Sequence, residues 1–142
     1  MPLQLEIVTP ERLAYSDEVD SVQLPGIEGE LGVLPHHAPL VSTLGVGELR
    51  IRKGGTEESF AIVGGFLQVL PTKVVVLAET ADMASEIDLE KAQEARREAE
   101  KALESGYHEG ADLSTARAAL QTALLRERVA QRRHREGPRH RG

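Results

Sequence analysis

The chain has no cysteine and no tryptophan, and aromatic residues fill only 3% of its 142 positions. Without cysteine there is no disulfide scaffold, no thiol nucleophile and no Cys-ligated metal centre, which fits a cytosolic setting. With so few aromatics, a core has to be assembled from Val, Leu, Ile and Ala, and the 40% hydrophobic content suffices for one. No stretch approaches the roughly 20 apolar residues that span a bilayer. Met1-Pro2-Leu3-Gln4 lacks the basic start of a signal peptide. The expectation is a soluble, unexported chain that reaches a membrane only through something else.

Catalytic constellations are missing too. His36 and His37 are adjacent on an extended segment, so their side chains point to opposite faces. No carboxylate or third histidine stands at ligand spacing around them, and no metal site is expected. Gly26, Gly29 and Gly32 lack the Lys-Ser/Thr of a phosphate loop and precede no helix. There is no Gly-x-Ser-x-Gly elbow. The C-terminal arginines have no interleaved aromatics, which argues against nucleic acid. The chain is not expected to be a stand-alone enzyme.

Its length suits one domain with an appendage. The net charge of -6 conceals an asymmetry. Residues 1–86 carry 13 acids and 5 bases, whereas from Leu113 onward 8 arginines face only Glu127 and Glu136. A basic terminal segment behind an acidic domain suits either an acidic partner or a solvated arginine face.

The first half reads as strands. Leu3 to Val8 and Val46 to Arg52 alternate apolar with polar, and Lys53-Gly54-Gly55-Thr56 supplies a hairpin turn with two glycines free to take positive φ. Phe60–Val63, Phe66–Leu70 and Val74–Leu77 follow as further short strands, separated by Gly64-Gly65 and Pro71-Thr72-Lys73. Such spacing predicts an N-terminal antiparallel β-sandwich or barrel over residues 1–85.

The second half changes period. Ser85-Glu86-Ile87-Asp88 has a capping-box pattern with Ser85 as the cap. Ala92, Ala95, Ala99, Ala102 and Leu103 then recur at helical spacing. Gly106 to Gly110 interrupts, Asp112 can cap a second helix, and Leu113, Ala116, Leu120, Ala123 and Leu124 form its stripe. Residues 86–136 are therefore expected to form an antiparallel two-helix hairpin, ended by Gly137-Pro138, with 137–142 a disordered tail. Alanine stripes bury little area, so such a hairpin docks weakly and suits a movable arm; an ordinary stable hairpin is the other reading.

Several segments, in order, resemble the epsilon subunits of F-type ATP synthases (delta in mitochondria). The segment Gly26-Ile27-Glu28-Gly29-Glu30-Leu31-Gly32-Val33-Leu34-Pro35-His36-His37-Ala38-Pro39-Leu40 carries the resemblance most strongly. Leu3 to Arg12, Val19 to Leu24, Val63-Gly64-Gly65-Phe66-Leu67-Gln68-Val69, and Ala78–Ala81 running on to Glu86-Ile87-Asp88 extend it over about residues 3–135. The resemblance implies a non-catalytic rotor subunit at the foot of the central stalk. Its partners would be the gamma subunit, the ring of c subunits and the catalytic beta and alpha subunits. It would help couple proton flow to ATP synthesis and inhibit ATP hydrolysis through its C-terminal helices. Membrane association would come only through the complex, on the cytoplasmic face of a bacterial plasma membrane.

The resemblance also implies sites. Glu28, Gly29, Glu30, His36 and His37 would lie in the stalk and ring interface. Arg126, Arg128, Arg132, Arg133 and Arg135 would meet an acidic surface on the catalytic subunits. Some bacterial members hold ATP as a regulatory ligand on the folded hairpin, through Ile-Asp-x-x-Arg-Ala and two basic residues one turn apart. Ile87, Asp88, Lys91, Ala92 and Arg126 fall on that pattern here, with Lys91 in place of arginine and Thr122 at the other basic position. Lysine keeps the charge but loses the planar fork of donors. Beside this reading stands an independent β-sandwich binding module with a basic helical adaptor for an acidic protein or nucleic acid.

Overall fold

The computed structural model describes residues 3–27, 29–35, 38–105 and 113–136. Strands β1 (Leu3–Val8), β2 (Leu13–Val19), β3 (Ser21–Gly26), β4 (Gly29–Val33), β5 (Leu40–Lys53), β6 (Thr56–Leu70) and β7 (Lys73–Met83) come first. A 3-10 turn at Ala84–Glu86 leads to α1 (Leu89–Ser105) and then α2 (Leu113–Glu136). The expected order, sandwich strands then a helical hairpin, is what the chain adopts.

All seven strands belong to one sheet in the order β2-β1-β7-β6-β5-β3-β4. Its pairs are antiparallel except β1 with β7, which run parallel, so the sandwich is not purely antiparallel as expected. The sheet closes over a single core in which Leu3, Leu5, Ile7, Leu24, Leu49, Ile51, Phe60, Ile62, Leu67 and Val76 are fully buried. Aliphatic residues build it, with Phe60 the largest side chain.

Three long strands make both layers, and they do so by exchanging faces. On β6 the core-facing residues are Phe60 and Ile62, then Leu67 and Val69. On β5 they are Leu44, then Leu49 and Ile51; on β7, Val74, Val76 and Ala78, then Ala81. Strict alternation along a strand keeps one parity. Here parity switches on all three strands beside the same cross-strand row, Gly45, Gly64 and Glu79, where the ladder pairing is interrupted. Gly64 (φ 62°) and Gly65 (φ 125°) absorb the bend. Gly64-Gly65 is thus a corner inside one strand, not the boundary between two strands that the sequence suggested. The Ala78–Ala81 segment lies within β7.

At the β5–β6 turn Gly54 alone takes positive φ (61°), where two such residues were expected. Positive φ at only the first central position suits a type II′ hairpin. That turn faces β2: Lys53 Nζ lies 2.5 Å from Asp17 Oδ2, and the Gly54 amide donates to Asp20 Oδ2 at 2.8 Å. Nearby, Tyr15 meets Phe60 edge to face with centroids 5.7 Å apart.

Burial holds the Tyr15 phenol above its ordinary pKa, and the Asp17 carboxylate adds to the shift. The hydrogen bond that Lys53 donates to Asp17 raises Lys53 in the same direction. Both groups hold their protons more tightly folded than unfolded. Their contribution is therefore complete below about pH 10 and disappears as pH rises through the higher folded values. Urea midpoints followed from about pH 8 to 11 should fall on the alkaline side, and Tyr15→Phe should flatten part of that fall.

Helix α1 is capped by Asp88, not Ser85. The Lys91 amide donates to Asp88 Oδ1 at 3.2 Å, and the Ala92 amide to the Asp88 carbonyl at 3.0 Å. Ser85 falls in the 3-10 turn, so the first helical turn begins three residues later than the capping-box spacing implied. The connection at 106–112, the Asp112 cap and residues 137–142 lie outside the described residues.

Candidate functional site

Helix α2 lies across the outer face of β5, β6 and the turn after β7, on the side away from the core. Its apolar contact is small. Leu125 and Val129 pack on Ala61 and Ala84, flanked by Val46 and Ile87. Burying a Leu or Val side chain is worth about 2 kcal/mol, so the seam holds through two residues that the alanine stripe did not include. Leu124 and Ala95, expected on the buried stripes, are exposed, whereas Ala92, Ala99, Ala123 and Ala130 are buried. Because α2 covers the outer side of β6 here, Ser59 to Ile62 is buried on both faces.

Charge completes the seam. Glu48 and Asp82 stand at the two ends of a cross-strand row with Ala61 between them. The Arg132 guanidinium donates to Glu48 Oε2 and, at 3.1 Å, to Ser59 Oγ. Glu48 is only 10% exposed and has Arg50 Nε 3.6 Å from its other oxygen. Arg133 Nη1 reaches Glu58 Oε1 at 3.0 Å, and Arg126 Nε lies 3.6 Å from Asp82 Oδ2. Of the five arginines expected to meet an acidic partner, three are thus paired with carboxylates of this chain's own sheet. Arg128 is exposed and lines a cleft with Gly29, Glu30, Arg50 and Arg132. The Arg135 side chain lies outside the described residues.

Within the hairpin, α1 and α2 are tied by Arg96 Nε and Glu127 Oε1, 2.7 Å apart, with Glu127 only 8% exposed. Arg96 also reaches Glu100 one turn on, so its charge is shared between the helices. Between the helices opens a pocket of about 760 Å³ lined by Glu86, Asp88, Lys91, Ala92, Thr122 and Arg126, among others. Four of the five residues matched to the nucleotide pattern are therefore gathered at one cavity. Ile87, the fifth, packs instead into the helix–sheet seam. Lys91 is exposed beside the cavity, and Arg126 borders it while facing Asp82.

Among the described residues, no element covers the other layer's outer face. Phe66 (59% exposed) and Leu77 (51%) are cross-strand partners, and Val41 (71%) lies two residues along β5 from the position opposite Phe66. A groove of about 610 Å³ runs beside them, lined by Val8, Thr9, Pro10, Thr43 and Gly64 to Phe66. Large apolar side chains gathered on one open face mark an interaction surface. Sequence reading missed this strip because the face exchange at Gly64 reverses which residues of β6 point outward. Of the expected stalk and ring interface, Gly29 and Glu30 form the exposed start of edge strand β4, and Glu28, His36 and His37 lie outside the described residues. Among the described residues no group of His, Asp or Glu could hold a metal ion, and no helix is long and apolar enough to cross a membrane.

Comparisons with known proteins agree with this layout. Residues 2–84 match the family description "ATP synthase, Delta/Epsilon chain, beta-sandwich domain", and residues 85–131 match "ATP synthase, Delta/Epsilon chain, long alpha-helix domain". The ATP synthase epsilon chain of Dehalococcoides mccartyi is 47% identical over 131 residues, 92% of this chain and 94% of that one. That of Herpetosiphon aurantiacus is 47% identical over 137 residues, covering 96% of this chain and 100% of its own. Among solved structures, a chain in the Euglena gracilis mitochondrial ATP synthase, OSCP/F1/c-ring, superposes with a TM-score of 0.76 at 27% identity. It covers 89% of this chain and 80% of that one.

Proposed function

Because the chain belongs to the ATP synthase delta/epsilon family, we propose that its bare sheet face docks on the gamma subunit while its hairpin serves as a detachable regulatory arm. The chain is a non-catalytic subunit of the F-type ATP synthase central stalk. The observation that carries the finer reading is the division of labour between the two outer faces. One is closed by α2 through a small apolar seam and ion pairs, and the other is left open and apolar. A permanent partner suits the open face, since apolar anchors dominate stable interfaces. A weakly greased, charge-held seam suits an element with two positions.

On this reading residues 1–85 form the rotor module. The glycine turn with Glu28, Gly29, Glu30, His36 and His37 faces the c-ring. Residues 86–136 form the arm, whose Arg126, Arg128, Arg132, Arg133 and Arg135 turn to acidic surfaces of the catalytic subunits when it extends, blocking ATP hydrolysis. The protein is then peripheral, held at the cytoplasmic face of the plasma membrane by its complex. ATP is the regulatory ligand of the hairpin cavity: Lys91 and Arg126 supply positive charge for its phosphates, and its occupancy favours the folded arm. The independent adaptor reading falls away with the family assignment.

The test is ATP hydrolysis by the catalytic head with gamma, reconstituted with the full chain or with a chain ended after Glu86. Both should bind, and the shortened chain should give the higher rate. Millimolar ATP should relieve inhibition by the full chain, and Lys91→Ala should weaken that relief. Equal rates at equal occupancy would remove the inhibitory arm; failure of both chains to bind would remove the rotor placement.

A further inference from the structure

We infer that Glu48, Glu58 and Asp82 act as an internal stand-in for the acidic partner, so that docking of the arm on the sheet and capture of that partner compete for the same arginines. The competition rests on the arm's proposed role; the three-point latch stands on the geometry alone.

The latch is made of opposite charges on two elements that no local pattern brings together. Three carboxylates come from three successive strands, β5, β6 and β7, and three guanidiniums from about two turns of one helix. Among the described residues four form the buried apolar part of the seam, and two of them are alanines. Glu48 is the central point. Docked, it sits between Arg50 and Arg132 with Ser59 beside it, and only 10% of its side chain is exposed. Released, it keeps Arg50 on the same strand. The sheet therefore retains a partner for its most buried acid, which lowers the penalty of letting go; stranding a buried charge is otherwise strongly destabilising. Arg126, Arg132 and Arg133, once free, present an unpaired basic face of the same span. A surface carrying acids at like spacing fits it by charge complementarity.

Arg126 links this latch to the hairpin cavity. Its Nε faces Asp82 while the residue also borders the cavity. One guanidinium therefore stands at both the latch and the cavity while the arm is docked.

The cysteine-free full chain accepts a donor–acceptor dye pair at Thr72→Cys and Arg117→Cys, both exposed positions. Energy transfer then reports the released-to-docked ratio. Replacing the carboxylates together (Glu48→Gln, Glu58→Gln, Asp82→Asn) should raise that ratio roughly ten- to a hundredfold, from three partly exposed pairs. Raising salt from about 0.05 to 1 M should move the parent the same way, because screening shortens from about 14 to 3 Å. Glu58→Arg should release the arm, and adding Arg133→Glu should restore it, which loss of packing alone would not do. A synthetic glutamate-rich helical peptide should release the arm of the parent and bind the triple variant more tightly. A ratio unmoved by salt and by the triple variant, or a charge swap that restores nothing, would overturn the latch. Should the triple variant misfold, the salt series on the parent decides. Peptide binding with the arm still docked would leave the latch standing and overturn the competition.

Discussion

Replacing Gly65 by alanine should lower the stability of the sheet by about 4 kcal/mol, the sum of a strained backbone and an overpacked contact. Two independent facts converge there. Its φ of 125° is one that side chains with a Cβ rarely adopt, and an added Cβ would stand 2.0 Å from the Leu77 carbonyl oxygen. The second cannot be relieved by rotating a flexible side chain, because the obstacle is the backbone of the neighbouring strand. At 4–8 °C per kcal/mol for a domain of this size, the melting temperature should drop by about 15–30 °C. Gly55→Ala is the control: its Cβ meets nothing within 4 Å and its φ is not positive. Melts followed by far-ultraviolet circular dichroism settle the comparison. If Gly65→Ala melts within a few degrees of the parent, the strands do not close at that corner as described.

A single exposed side chain should decide assembly. Phe66→Asp should weaken association with the gamma-containing head by about thirtyfold or more, the loss expected of an aromatic anchor worth 2 kcal/mol or more. Folding should change by about 0.5 kcal/mol at most, since Phe66 is largely exposed on the outer face. The variant therefore separates binding from stability in a way that core substitutions cannot. Titration calorimetry against the purified head gives the affinity, and urea unfolding gives the control. An unchanged affinity with intact folding would move the docking surface off this strip.

How much of this was written in the sequence varies with the range of the interaction. β1 was legible because Leu3, Leu5 and Ile7 alternate against one core. The β5–β6 turn was legible because a glycine pair between alternating runs has few other uses. Continuity of β6 through Gly64-Gly65 was not, because the paired glycines look like a break until the partner strands are seen to exchange faces on the same row. The parallel pairing of β1 with β7 is a long-range choice with no local mark.

The site shows the same gradient. Lys91, Ala92 and Arg126 were found through a motif, and their gathering at one cavity follows from helical spacing in a hairpin. Asp88 displaced Ser85 as the cap because the chain first spends one 3-10 turn leaving the sheet. The carboxylate partners of the arginines could not have been read at all. Glu48, Glu58 and Asp82 look like ordinary solvated acids within strands, and only the lie of α2 across the outer face gives them a role.

The face exchange has a mechanical side. Phe66 and Ser59 lie on one unbroken strand, the first on the bare face and the second under the arm. Strands β5 and β7 run through both regions as well. A load applied at the bare face thus reaches the seam along three covalent backbones laced by their ladders, in shear, instead of through a soft layer of side chains. The two ends of the module are thus joined by continuous, paired backbone.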